Sequence, residues 1–344
     1  MRLLPMVALV VAAAWAPGAL AQDAVAGFYR GKRITLQVGS EPGGGYDVVA
    51  RVVAEHLGNH IPGSPQIVVQ SVPGGGSLLL ANLFFTPETP RDGTYIGLAS
   101  NGMPTTPLLS PQSAHYDPRR FFWLGSPSRE IEILAVWHAA AVKTLADVFS
   151  KDLIVGASAP GSATWDFPFV TNALLGTKFK IVTGYRGATE VKLAMERGEV
   201  EANAALAWGS AKASYGDWLR DNKLLVVAQY GAQKAHDLPD VPLMPQAKTE
   251  ADREILDVLY ARSEYGRPFF LPPDVPAERA MALRRAFAET MQDPAFLADA
   301  QQAAIDVDPV AGEDHEVLTN RLFSLPDDVV ARARKLLDVA VPGK

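Results

Sequence analysis

Apolar and polar residues alternate through Ile34-Thr35-Leu36-Gln37-Val38, the period-two pattern of a strand with one face buried. A glycine-rich stretch, Ser40-Glu41-Pro42-Gly43-Gly44-Gly45-Tyr46-Asp47, follows at once. Apolar residues then recur at helical spacing, with either Val48, Val52 and Leu57 or Val49, Val53 and His56 on the inward side. Asp47 stands where a helix N-cap belongs, with Arg51 one turn on as its ion-pair partner. Gly58 reads as the end of that helix, and Pro62-Gly63-Ser64-Pro65 as the turn beyond it.

The unit repeats. Residues 66–70 form a strand, Pro73-Gly74-Gly75-Gly76-Ser77 a second glycine loop, and 78–85 a helix; a third strand, 95–99, ends in Ser100-Asn101-Gly102. Three strand ends carrying small residues predict an α/β sheet with its ligand beyond the carboxyl ends of the strands. Three adjacent glycines offer no side chain for packing. They do let main-chain N–H groups line a concavity at the positive end of a helix dipole, which makes an anion site.

From about Phe122 the pattern restarts. Strands are expected at 134–137, 153–156, 181–183 and 224–228, and helices after the loop 157–165 and after 184–190, the second stopped by Gly198. The proline-rich segment 238–245 reads as surface connection. Residues 267–273 suggest a last strand, and 276–291, 294–304 and 326–339 three helices.

Residues 1–21 read as a secretory signal: Arg2, an apolar run to Trp15, and Ala19-Leu20-Ala21 as a small-x-small cleavage site. The chain has no cysteine, which removes disulfides, thiolate metal sites and cysteine catalysis. Its net charge of −6, without a basic block, argues against nucleic-acid binding. His56 and His60 have metal-binding spacing, but with Gly58 read as ending the helix and no third ligand apparent they are taken as surface histidines. No serine lies in a nucleophile-elbow pattern. The expectations are therefore no enzyme activity, no cofactor and no metal.

An ordered set of short motifs spans nearly the whole mature chain: Pro42-Gly43-Gly44 with Asp47 and Ala50-Arg51, Pro73-Gly74-Gly75-Gly76, Asp92-Gly93-Thr94, Tyr185-Arg186-Gly187-Ala188, Gly198-Glu199-Val200-Glu201 and Leu238-Pro239-Asp240-Val241-Pro242. In these the chain resembles the solute receptors of tripartite tricarboxylate transporters, the Bug-type periplasmic binding proteins. The resemblance implies a type II periplasmic-binding fold, two α/β lobes with a hinge and an interlobe ligand cleft. Residues 22–125 and 229–344 would form the first lobe and 126–228 the second, with crossings near 122–126 and 226–230.

It further implies that the first lobe grips a ligand carboxylate through Gly43, Gly44, Gly45, Gly75, Gly76 and Ser77, with Tyr46, Asp47 and Asn101 beside them. Ser158, Ser162, Thr164, Trp165, Tyr185 and Arg186 would close from the second lobe. Core packing competes with ligand contact for Trp165 and Trp208, and helix capping for Asp47, Ser158, Ser162 and Thr164. Relatives usually carry proline and an aromatic residue where this chain has Gly39 and Ser40. The segment 202–208 lacks the acidic residues often found there, which argues against an amino-acid ligand; Trp165 and Trp208 would suit an aromatic or branched carboxylate and Arg186 a second carboxylate, so a di-, tri- or aromatic carboxylate is expected. The implied protein is a periplasmic monomer that hands a small organic anion to membrane transporter subunits. An exported enzyme using the same cleft and a ligand-occupancy sensor are the alternatives.

Overall fold

The structure, a computed structural model, describes residues 17–158, 162–185 and 187–338. The chain opens with α1 (Pro17–Tyr29), β1 (Arg33–Val38), α2 (Gly45–His60), β2 (Gln66–Ser71), α3 (Leu78–Phe85), β3 (Tyr95–Leu98), α4 (Thr106–Leu109) and β4 (Phe122–Ser126). A second group follows: β5 (Glu132–Trp137), β6 (Leu153–Gly156), α5 (Ala163–Leu175), β7 (Phe179–Val182), α6 (Ala188–Glu196), β8 (Ala202–Ala207), α7 (Trp208–Ser214), α8 (Gly216–Arg220) and β9 (Leu224–Tyr230). The chain ends with α9 (Glu250–Tyr265), β10 (Phe269–Leu271), α10 (Ala277–Thr290), α11 (Pro294–Gln302), β11 (Val310–Ala311), α12 (Gly312–Leu322) and α13 (Asp327–Asp338).

Two sheets result. One has the order β11-β4-β10-β3-β1-β2, the other β7-β6-β8-β5-β9. Strands β2, β1 and β3 are parallel, in register Leu36↔Val69 and Leu36↔Ile96. Their carboxyl ends, and so the three small-residue loops, therefore emerge on one edge. The chain leaves the first sheet after β4, enters the second at β5, and returns through α9 to β10, which runs antiparallel between β3 and β4. This is the two-sheet α/β architecture the motifs imply.

Packing crosses the division between the sheets. Ile255, Leu256, Leu259 and Tyr260 of α9 join the core around β5, β8 and β9, while Val258, Ala261 and Tyr265 of the same helix pack with Phe84, Trp123 and Phe270. Helix α9 thus belongs to both cores. Beyond it, Gly266 at φ 58 passes so close to the strand-crossing segment that a Cβ there would lie 1.9 Å from the Ser128 carbonyl oxygen, a position only glycine can fill. The Ser126 hydroxyl accepts from the Arg267 N–H at 2.8 Å and donates to the Ser128 carbonyl at 2.7 Å, and the Glu130 N–H donates to the Ser263 carbonyl at 3.0 Å.

Several local expectations change. Helix α2 begins at Gly45 with Gly44 as its N-cap, so Asp47 is its third residue rather than the cap. It also runs through Gly58, whose missing side chain admits the Pro65 carbonyl: a Cβ would meet that oxygen at 2.6 Å. The inward face is Val49, Val53 and His56, joined by Leu57. The segment 238–245 is the largely exposed connection expected, and it is fastened to β9: the buried Gln229 side chain donates to the carbonyls of Leu238 and Val241, and Met244 is buried. Helix α1 spans the expected cleavage point at Ala21, while residues 1–16 lie outside the described ones.

Candidate functional site

The first glycine loop leaves β1 and turns into α2. Gly43 adopts φ 78, and its N–H donates at 2.8 Å to the Asp47 carboxylate, which also holds Arg51 through two bonds of 2.9 and 3.1 Å. Gly43 is therefore spent inside the loop rather than offered to a ligand. The hydrogen bond from Arg51, helped by the Gly43 amide, holds the Asp47 carboxyl below the usual range; that buried carboxylate is a fixed part of the loop. Gly44, Gly45 and Tyr46 open the helix. The Gly44 N–H reaches the Glu41 carbonyl at 3.5 Å, but an α-helix has no intrahelical partner for its first N–H groups and Gly45 is exposed, so the Gly45 and Tyr46 amides at this end suit a small anion.

The second loop is wound differently. Gly75, Gly76 and Ser77 have φ of 55, 63 and 73, a left-handed turn that runs straight into α3. Ser77 is 1% exposed. Its hydroxyl donates to the Gly39 carbonyl at 2.9 Å and accepts from the Ser100 N–H at 2.8 Å, while the Ser100 hydroxyl reaches the Gly76 carbonyl at 2.6 Å. The Ser77 hydroxyl thus ties the ends of β1 and β3 together and is engaged within the protein. Gly39 has a reason here as well: a Cβ on it would sit 2.3 Å from the Ser77 oxygen.

Tyr46 and Asn101 do meet. The Asn101 N–H donates to the Tyr46 hydroxyl at 3.1 Å, and that hydroxyl and the Asn101 side-chain amide both point to Glu130 Oε2, at 3.4 and 3.3 Å. Arg267 completes the group: one guanidinium nitrogen donates to the Gly45 carbonyl at 3.2 Å and the other to Glu130 Oε1 at 3.3 Å. Burial, then the Glu130 charge, pushes the Tyr46 hydroxyl well above its ordinary pKa, so it stays a neutral donor. Sequence reading missed Glu130 and Arg267. The available signal was a pair of carboxylates, Glu130 and Glu132, entering an otherwise apolar strand.

Glu132 lies deeper, 4% exposed, and desolvation followed by the Glu130 charge raises its carboxyl well above the usual range against the pull of Arg262. Arg262 Nη2 of α9 meets Asp166 Oδ2 of α5 at 2.8 Å, with side chains 8% and 1% exposed. This buried pair links the returning helix to the second sheet.

On that second sheet, the Ser158 N–H donates to the Thr164 hydroxyl at 3.1 Å, Ser162 and Thr164 hydroxyls lie 3.1 Å apart, and Gly184 donates to the Ser158 carbonyl. The loop is held to itself and to the end of β7. Trp165 is buried and stacked on Phe169 at 4.4 Å between centroids, a core residue. Tyr185 is half-buried and hydrogen-bonded to Glu199; burial, then that carboxylate, raises its hydroxyl pKa. Arg186 and residues 159–161 lie outside the described residues.

A cavity of about 250 Å³ is lined by Arg129, Trp208, Asp237, Asp306 and Asp308. Lys212 bridges it, 2.8 Å from Asp237 and 2.6 Å from Asp306, and Trp208 Nε1 donates to Asp237 at 2.9 Å. Asp306 also acts on Arg267, so the cavity adjoins the Gly45–Glu130 group. Asp237, Asp306 and Asp308 line this cavity, so the lack of acids in 202–208 does not fix the charge of a ligand. Among the described residues no helix is long and apolar enough to cross a membrane.

No protein-family model matches the chain, and no curated protein does. Solved structures do. A TctC solute-binding protein from Polaromonas superposes with a TM-score of 0.66 at 19% identity, covering 90% of this chain and 99% of that one. A protein of R. palustris solved with adipate gives 0.63 at 19% identity, over 90% and 97%. MatC from Rhodopseudomonas palustris, with bound malate, gives 0.61 at 16% identity, over 89% and 99%. At such identities the likeness shows a shared two-lobe fold over nearly the whole length.

Proposed function

We propose that the protein is a periplasmic solute-binding receptor that captures a small organic anion, a carboxylate, and delivers it to a tripartite tricarboxylate-type membrane transporter. One observation carries the reading: the exposed Gly44–Gly45 head of α2, whose first-turn amides are free of intrahelical partners, lies at the ligand-facing strand edge of a fold that in two similar structures holds adipate and malate. Residues 22–125 with 229–344, and 126–228, act as the two lobes, hinged where the chain crosses after β4 and β9. Closure of such lobes needs only a few element-terminal residues to rotate.

In this reading the ligand carboxylate takes the amides of α2, and Arg267, fixed by Glu130, steadies the loop through the Gly45 carbonyl. The protein does no chemistry on its ligand. The N-terminal segment 1–21 directs export and is removed. The partner in this reading is a membrane transporter rather than a sensor, and the receptor acts as a monomer.

The test is a thermal-shift panel of di-, tri- and aromatic carboxylates, with mass spectrometry of small molecules released from the purified protein. A ligand that binds only the folded state raises Tm by mass action. No shift across the panel and no co-purifying acid would remove the carboxylate reading.

A further inference from the structure

Because α2 continues through Gly58, His56 and His60 stand one turn apart on one face of it. Carboxylates face them from the C-terminal helices: His56 Nε2 lies 2.8 Å from Asp299 Oδ2 of α11, His60 Nε2 lies 2.9 Å from Asp293 Oδ2, and His60 Nδ1 is 3.8 Å from Glu289 Oε2. Glu55 reaches the same spot as His56. One donor atom from each of Glu55, His56 and Asp299 lies within 4.8 Å of the other two. The third ligand that the sequence did not reveal comes from 243 residues further along the chain.

We propose that Glu55, His56 and Asp299 bind a divalent cation of the zinc class, which fastens α2 to α11. Two donors sharing a tetrahedral Zn²⁺ at its usual bond lengths sit about 3.3 Å apart. The present separations need shifts of about an ångström, and they fall on side chains that can move, since Glu55 is exposed and Asp299 half-exposed. His56 is the fixed member, buried and edge-on to Phe296 at 5.9 Å. One imidazole nitrogen with two carboxylate oxygens suits Zn²⁺ or Co²⁺ better than the all-oxygen shells of Ca²⁺ and Mg²⁺. The two carboxylates balance the dication. On binding, any proton that His56 Nε2 shares with Asp299 passes to Nδ1 or to solvent, so affinity falls as the pH drops.

A plain histidine–aspartate hydrogen bond would also join the helices, and the experiment separates the two. The full chain, free of any polyhistidine tag and stripped with chelator, is titrated with Zn²⁺ by calorimetry and by thermal melting, and with Co²⁺ by visible absorption. The expected result is one equivalent of metal, a Tm rise of a few degrees at saturation and a Co²⁺ d–d band, all lost in His56→Gln and in Asp299→Asn but kept in His60→Gln. Asp299→Asn changes a partly exposed side chain, so a native circular-dichroism spectrum keeps that variant informative if His56→Gln fails to fold. Absence of metal binding by the unaltered chain, or equal binding by Asp299→Asn, overturns the proposal.

Discussion

The two glycine loops have nearly the same composition and leave adjacent parallel strands, yet they are built for opposite ends. The loop at 43–47 keeps ordinary backbone at its N-cap, Gly44 at φ −77 and ψ 169, and presents open amides at the head of a 16-residue helix. The loop at 74–77 coils left-handed and buries its one hydroxyl between the ends of β1 and β3. Glycine serves solvent-facing donors in the first and tight winding in the second. What separates them is the residue that follows: Asp47 folds back on Gly43 and leaves the Gly45 and Tyr46 amides open, whereas Ser77 uses its hydroxyl to close the knot.

This contrast can be broken from either side. The largest effect is expected at Gly39, where valine would drive a methyl-bearing carbon onto Ser77; we expect a loss of about 3 kcal/mol or more in denaturant melts, the range of severe packing clashes. Next comes Ser77→Ala. It orphans the Gly39 carbonyl and the Ser100 N–H, and should cost about 2 kcal/mol by the same measurement, more than the loss from any change confined to the first loop.

Asp47→Asn should cost about 1 kcal/mol at neutral pH, because Arg51 and the Gly43 amide both favour the charged form. The folded carboxyl titrates below its unfolded value. Its contribution is therefore present above the normal carboxylate pKa and is lost as the pH falls through the lowered one. Melting curves across acid pH should show a shallower acid limb in the variant. Gly44→Val is expected to change stability least, within about 0.5 kcal/mol, since its backbone suits any residue and the nearest atom to a new Cβ, the Glu41 carbonyl oxygen, is 3.5 Å away.

Much of the first sheet was legible because β1, β2 and β3 each couple an apolar run to a small-residue loop. Strand β8 was not read, for its Ala-rich sequence has weak strand propensity and is fixed instead by burial between β6 and β5. Helix α9 was also passed over, although Thr249 accepts from the Asp252 N–H at its start, a capping signal visible as Thr-x-x-Asp. At the site, the glycine loops are local features and could be anticipated, with Tyr46 and Asn101 as neighbours; that these two meet across 55 residues could not. Glu130 carried only the hint of its pairing with Glu132, and Arg262 and Arg267 carried none, because Arg262 meets Asp166 96 residues away and Arg267 meets Glu130 and Gly45 137 and 222 residues away. The same distance in sequence hid Asp299 from His56.

The central claim is that the open head of α2, and not the knot beside it, holds a carboxylate. It is tested most directly by calorimetric titration of the unaltered protein and of Gly44→Val with whichever carboxylate raises Tm most. The account predicts at least a tenfold weaker affinity in Gly44→Val at unchanged melting temperature without ligand, because a branched side chain would cover the amides. Equal affinity in the two proteins would contradict it.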